Sequence, residues 1–280
     1  MKASVLEKGL EGIAGLIRTF YMQWESSSGK GPVQRLDPKV KVLALIYFLI
    51  IVSLKRGPMA LSLILAMTSA VALAAGVFGA IWRKVVALGF VFGFLLSLPA
   101  ALNIITPGEV VVPVVRLKGP VDFWVYHIPA EIGLTRQGLR TVLLLSLRVM
   151  DSLALSFLVL YTTPFHEIIR ALKSLRVPDA LLMVVTLSYK YIFIFAKTVG
   201  EMHLAKKGRF IGADGMREWA VGRFAFLFRK TRARCEEIFR AMQARGLSEE
   251  ISLPPRKGLS TADYAVGSGL FGMGVLFLWL

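Results

Sequence analysis

The sequence predicts an all-α, polytopic integral membrane protein of about five transmembrane helices, with a cytoplasmic, membrane-surface helical region between the last two. Three observations predict it. Of the 280 residues, 55% are hydrophobic, and the mean hydropathy is +0.63, more apolar than a soluble domain of this size sustains. Several apolar runs approach the roughly 20 residues that a helix needs to cross a hydrocarbon core about 30 Å thick. The surplus of Lys and Arg, a net charge of +16, suits cytoplasmic loops facing anionic headgroups and acidic partners. Apolar runs of this length exclude nucleic acid as the reason for that charge.

Residues 1–35 read as an N-terminal amphipathic helix and a linker. Leu6, Leu10, Ile13, Ile17 and Phe20 recur at helical spacing with polar residues between them, the pattern of an interfacial helix. The stretch 26–32, Ser-Ser-Ser-Gly-Lys-Gly-Pro, is a flexible linker. Glu7, Lys8 and Glu11 interrupt any apolar core that a cleavable signal peptide would place there. Residues 36–162 hold four spans. The first covers 40–54 and ends at Lys55-Arg56-Gly57-Pro58. The second covers 58–81 and stops at Arg83-Lys84, and the third covers 85–105. After an external loop, 107–137, the fourth covers 139–161. In the loop, 110–115 and 123–126 read as short strands or interfacial anchors. A last span, 264–280, carries Ala265, Ser268, Gly269 and Gly272 at the spacing of a close-packing face, a spacing that lipid-facing or hinge glycines explain equally well.

The stretch 178–199 is apolar enough to cross, but the charges oppose it. Lys39 and Lys41 place the N-terminus in the cytoplasm, and four crossings return the chain there with Arg170, Lys173 and Arg176. A further crossing would export residues 200–263, which hold thirteen basic and eight acidic residues. Lys190 near its middle adds roughly 2.5–3.5 kcal/mol at a bilayer centre. The stretch is therefore expected to lie at the membrane surface, within a cytoplasmic region 163–263. That region starts with a short helix at 164–175. A long helix follows from Pro178 with its basic end near Lys206, and another spans 216–245 with Gly246 as its left-handed C-cap. Arg148 and Asp151, three residues apart within the fourth span, are expected to form an ion pair on one helix face.

Four stretches carry a resemblance. They are Arg35-Leu36-Asp37-Pro38-Lys39-Val40-Lys41; Thr162-Thr163-Pro164 with Glu167 to Leu172 and Val177-Pro178; Leu187-Ser188-Tyr189-Lys190-Tyr191-Ile192-Phe193 running on to Arg209; and Ala241-Met242-Gln243-Ala244-Arg245-Gly246-Leu247. In this order the chain resembles, over nearly its whole length, the T component of energy-coupling-factor transporters, of the CbiQ cobalt type. The resemblance implies a multi-pass subunit of the cell (inner) membrane that couples two ABC-type ATPases to a small substrate-binding membrane subunit. It implies cobalt or nickel transport, with vitamin transport as the alternative, and no cofactor in this chain, because ATP is bound by the partners. It also implies that the coupling-helix ends dock the ATPases through Ala205, Lys206, Lys207 and Arg209, and through Ala244, Arg245 and Gly246. The first of these departs from the family's Ala-Arg-Gly and is closer to its Ala-Arg-x-x-Arg form, so Lys206, Lys207 and Arg209 stand as alternatives for the key contact.

The chemistry of such an end is legible without the family. Small Ala244 and Gly246 allow close approach to another surface, and Arg245 offers a planar fork for an acidic groove. Taken alone, Ala-Arg-Gly is only a C-capped helix with a solvated Arg; the other three stretches tip the reading toward docking. No catalytic or metal centre competes with it. Gly208, Gly212 and Gly215 lack the strand before and the Gly-Lys-Ser/Thr after that a phosphate loop needs. Met202-His203 lacks convergent ligands. The single cysteine, Cys235, supports neither a disulfide framework nor a cysteine cage within one chain. The competing class, a membrane enzyme of lipid-group transfer, needs clustered carboxylates or histidines near the interface, whereas the 18 Asp and Glu are dispersed.

Overall fold

The computed structural model describes residues 31, 33–101, 103, 109–116, 121–123, 126–128, 131–209, 216–246 and 260–279. The N-terminal helix and most of its linker, Trp124-Val125, Gly212, Gly215 and Leu247 lie outside the described residues. The described chain forms two compact units, one running to Leu172 and resuming at Ser260, the other covering Lys173 to Gly246.

The first unit is a helical bundle. Helix α1, Pro38–Leu54, begins where Asp37 caps it: its Oδ1 accepts from the Lys39 amide at 2.8 Å, and Pro38 sits in the first turn. It ends before Gly57, and Pro58 opens α2, Pro58–Ala74. Helix α2 stops seven residues earlier than the apolar run suggests. Gly76 adopts φ +71°, its amide donates to the Leu73 carbonyl, and the Val77 amide donates to the Ala72 carbonyl. That pair of bonds is a Schellman ending, which needs a left-handed residue that glycine supplies without strain. Consequently Arg83 and Lys84 mark no span boundary. They lie inside α3, Phe78–Leu88, where the Lys84 ammonium sits 5.1 Å from the Tyr161 ring centre and 5.9 Å from that of Phe157.

Helix α3 continues as a π-helical segment, Gly89–Leu95, then a 3₁₀ turn, Leu98–Ala101. Of the two expected strands in the following loop, 110–115 lies within a strand, whereas 123–126 does not form one: Phe123 ends one strand and Tyr126 opens the next, and the strands make two separate two-stranded sheets. β1, Val110–Arg116, pairs antiparallel with β4, Glu131–Thr135; β2, Val121–Phe123, pairs with β3, Tyr126–Ile128. Thr135 then caps α4, Arg136–Thr162, its Oγ1 accepting from the Gly138 amide at 3.0 Å. Helix α4 is the hub against which α1, α2, α3 and the π-helical segment pack. The chain continues through α5, Phe165–Leu172, which packs on α1, and closes with α8, Thr261–Trp279, also on α1.

Two buried clusters hold the bundle. One joins Phe48, Ile51 and Val52 of α1 to Leu61 and Ile64 of α2, Leu155 of α4 and Phe277 of α8. The other joins Ala72 and Val77 to Ile81 and Val85 of α3 and Ala154 of α4. Of the small residues in the last span, Gly269 and Gly272 face open space, while a methyl at Gly274 would fall on the Tyr47 ring. The close approach is therefore at Gly274, on the opposite side of the helix from the face that the spacing suggested.

The second unit holds a 3₁₀ turn, Lys173–Leu175, then α6, Asp179–Arg209, and α7, Met216–Ala244. Between the turn and α6 the backbone of Arg176 is left-handed, φ 60°, and Lys173 pairs with Asp179 at 2.8 Å.

Among the described residues, four helical stretches are long and apolar enough to cross a membrane: Phe78–Leu95, Arg136–Thr162, Asp179–Met202 and Thr261–Trp279, with Pro58–Ala74 a shorter apolar helix. At 1.5 Å per residue, the 17 residues of α1 and of α2 each extend about 25 Å.

Candidate functional site

The two helix ends singled out by the sequence close the helices of the second unit. Helix α6 runs unbroken through Ala205, Lys206 and Lys207 to Arg209. Ala205 is exposed; the side chains of His203, Lys206, Lys207 and Arg209 lie outside the described residues. Ala205 and Arg209 are four residues apart, a spacing that places two positions on one helix face. The basic last turn complements the partial negative charge at a helix C-terminus.

The end of α7 is built as the sequence predicts. The Arg245 amide donates to the carbonyls of Ala241 at 3.2 Å and Met242 at 3.1 Å, and the Gly246 amide donates to Gln243 at 3.0 Å. Gly246 has φ +84°, and nothing lies within 4 Å of where a β-carbon would stand. This left-handed cap satisfies helix carbonyls that otherwise need water. Ala244, Arg245 and Gly246 are all exposed. Among the described residues, no carboxylate lies within ion-pair distance of Arg245. The tip therefore presents a fixed backbone turn and a guanidinium not committed to a partner among the described residues.

Along its length α7 is strongly basic. Arg217, Arg223, Arg229, Lys230, Arg232, Arg234 and Arg240 stand against Glu218, Glu236 and Glu237. The ion pair described on this helix is Arg232 with Glu236, at 3.3 Å between exposed side chains, a type worth at most about 1 kcal/mol.

The first two stretches of the resemblance meet in the bundle, an arrangement that sequence reasoning did not anticipate. Lys41 is buried, and its ammonium donates to the carbonyl of Thr162 at 3.0 Å and of Gln34 at 3.3 Å. Thr162 ends α4 and is followed by fully buried Thr163. The Asp37 amide donates to Oδ1 of Asp263 at 3.0 Å, and the other oxygen of Asp263 accepts from the Ser260 amide at 3.0 Å. The start of α1, the end of α4 and the start of α8 are thus tied by two side chains. The local half of this was readable: Ser260-Thr261-Ala262-Asp263 has the spacing of a capping box. The links to Asp37 and Thr162 cross more than a hundred positions and leave no local signal.

Arg148 and Asp151 do not form the expected pair. The Arg148 guanidinium donates to the Lys55 carbonyl at the end of α1, where a cation complements the helix dipole. Asp151 is fully buried, and among the described residues neither of its carboxylate oxygens has a hydrogen-bond partner. Side chains on a helix lean toward its N-terminus, so the long arginine reaches a turn away from Asp151. Among the described residues no group of three His, Cys, Asp or Glu side chains converges on a metal-sized site.

Between α6 and α7 runs an apolar groove of about 480 Å³, walled by Met183, Leu187 and Tyr191 on one side and Leu227 and Ile238 on the other. The sequence reading did not single it out, because two faces each apolar on their own helix do not announce a shared groove.

A family model described as "CbiQ: Cobalt transport protein" matches residues 29–253, from before α1 to beyond α7. Two relatives come from Methanocaldococcus jannaschii (strain ATCC 43067 / DSM 2661 / JAL-1 / JCM 10045 / NBRC 100440). Uncharacterized protein MJ1571 is 27% identical over 244 residues, 84% of this chain and 78% of its own length. Uncharacterized protein MJ1089 is 28% identical over 94 residues, 33% of this chain and 35% of its own.

Proposed function

This chain belongs to the CbiQ family of cobalt transport proteins, the membrane-embedded, non-catalytic T component of energy-coupling-factor transporters, and on that premise we propose that its two helix ends are where ATPase subunits grip it. The observation that carries the reading is the tip of α7: Arg245 exposed on a left-handed cap, between Ala244 and Gly246. An arginine held on a rigid, small-residue helix end fits an acidic groove, and such anchors dominate interface energetics. The end of α6, with Ala205 and Arg209 on one face and Lys206 and Lys207 beside them, is the second grip. Two grips engage two ABC-type ATPases, so that closure of the pair on ATP moves both helices.

The positive balance of residues 200–263 supports a cytoplasmic position for both tips. With four crossings before it, α6 then lies along the membrane surface, which also spares Lys190 the bilayer centre. The moving helices act on a small membrane subunit that captures the substrate. That substrate is a cobalt ion or the closely similar nickel ion, in keeping with the family's description.

Co-expression with the two ATPases and affinity capture of this chain tests the docking. Arg245→Glu is expected to reduce recovered ATPase at least tenfold, and Arg245→Glu with Arg209→Glu to abolish recovery, while this chain's unfolding midpoint is unchanged. Wild-type recovery by the double variant would overturn the assignment.

A further inference from the structure

The groove between α6 and α7 combines two features that seldom coincide by accident. Its walls are almost entirely apolar, and two cations, Lys230 and Arg234, line it with no carboxylate among the lining residues. These two are four residues apart on α7 and therefore share a face. Among the described residues neither has an ion-pair partner, while their neighbour Arg232 pairs with Glu236. Thr231, one position from Lys230, also lines the groove and adds a hydroxyl. The Lys230 ammonium lies 5.8 Å from the Phe226 ring centre. The volume, about 480 Å³, lies within the roughly 300–1,000 Å³ of ordinary small-molecule sites.

We propose that this groove binds an anionic phospholipid, with an acyl chain along the apolar walls and the phosphate held by Lys230 and Arg234. The charge complementarity selects this occupant. A soluble anion would leave the long apolar walls without a partner, and an uncharged lipid would leave two cations without counter-charge. The site is independent of the docking tips, since neither Arg245 nor any residue of 205–209 lines it.

Cys235 also lines the groove and is exposed, and it is the chain's single cysteine, so its alkylation rate reports occupancy. The full-length chain in a nonionic detergent is titrated with dioleoylphosphatidylglycerol or dioleoylphosphatidylcholine, and alkylation by a water-soluble maleimide is timed. Attraction of about fivefold per basic residue predicts half-maximal protection at about 30-fold lower phosphatidylglycerol than phosphatidylcholine. Lys230→Gln with Arg234→Gln is expected to erase that difference, and inorganic phosphate to give no protection. Leu187→Trp, which fills the wall, is expected to abolish protection by both lipids. Equal protection by the two lipids, protection by phosphate, or a preference that survives the double variant overturns the proposal. So does slow alkylation without lipid that is relieved by deleting residues 1–24, which would make the chain's own N-terminal helix the occupant. Slow alkylation that depends on protein concentration would assign the groove to a second copy and overturn it equally.

Discussion

The bundle and the α6–α7 pair use charged side chains in opposite ways. In the bundle, cations and carboxylates near helix ends are consumed inside the fold: Lys41 on the carbonyls of Thr162 and Gln34, Asp263 on the amides of Asp37 and Ser260, Arg148 on the carbonyl of Lys55. In the pair, Arg240 and Arg245 are exposed and Lys230 and Arg234 line an open groove. A buried ammonium bonded to two carbonyls has a fixed address, whereas an unpaired surface guanidinium loses little by waiting for a partner. The difference separates residues that hold this protein together from residues available to something else.

The sharpest way to break that comparison is to remove a charge from each region. Lys41→Met keeps the length of the side chain but strands the carbonyls of Thr162 and Gln34 in a buried setting. Hydrogen bonds to a charged group contribute about 1.5–3 kcal/mol each, so a loss of about 3 kcal/mol is expected in equilibrium unfolding from mixed micelles. Arg234→Met in the same measurement is expected to change stability by less than about 0.5 kcal/mol, as for an exposed site. Equal losses in the two variants would remove the distinction.

What could be read from the sequence divides along the same line. The order of elements was legible: four helices, a region of one short and two long helices, and a closing helix. Helix ends set by local chemistry were legible too, because Asp37-Pro38 and Arg245-Gly246 carry their caps within four residues. Two kinds of feature were not. The break at Gly76 lies inside a continuous apolar run, and Arg83-Lys84 looked like the edge of a span, although Lys84 rests against Phe157 and Tyr161 instead. The partner of Arg148 is a carbonyl 93 positions away, while spacing alone favoured Asp151, its nearest carboxylate. Charge patterns identify which residues are polar within a membrane protein, but tertiary packing chooses their partners.

Packing gives a second contrast, of smaller size and opposite sign in the two regions. A β-carbon on Gly138 of α4 would stand 2.8 Å from the Ala100 carbonyl oxygen and 2.8 Å from the Ala101 Cα. These are backbone atoms that cannot swing aside. Overpacking of this kind costs about 1–3 kcal/mol, and that loss is expected for Gly138→Ala. Gly222 of α7 has open space around it. There Gly222→Ala removes only the flexibility of glycine in a helix interior, for an expected gain of roughly 0.5–1 kcal/mol. Thermal unfolding of both variants in one detergent measures the pair, and the same sign for both would contradict the packing described here.

The smallest expected effect concerns a single helix turn. At Gly246 the left-handed backbone holds the amides of Arg245 and residue 246 on the carbonyls of Ala241, Met242 and Gln243. An alanine there carries the left-handed penalty of about 1–2 kcal/mol, and among the described residues the hydrogen bonds tied to that conformation lie in the last turn of α7. Gly246→Ala is therefore expected to speed amide exchange at residues 245 and 246 by about tenfold, the equivalent of 1.4 kcal/mol, and to leave exchange in α1, α4 and α8 unchanged. Asparagine tolerates the left-handed region better than alanine, so Gly246→Asn should recover part of the protection. Recovery by asparagine, together with weaker ATPase capture by the alanine variant, would show that the shape of this turn, and not merely the charge of Arg245, is what a partner recognises. Unchanged exchange in the alanine variant would mean that the cap does not hold the tip in place.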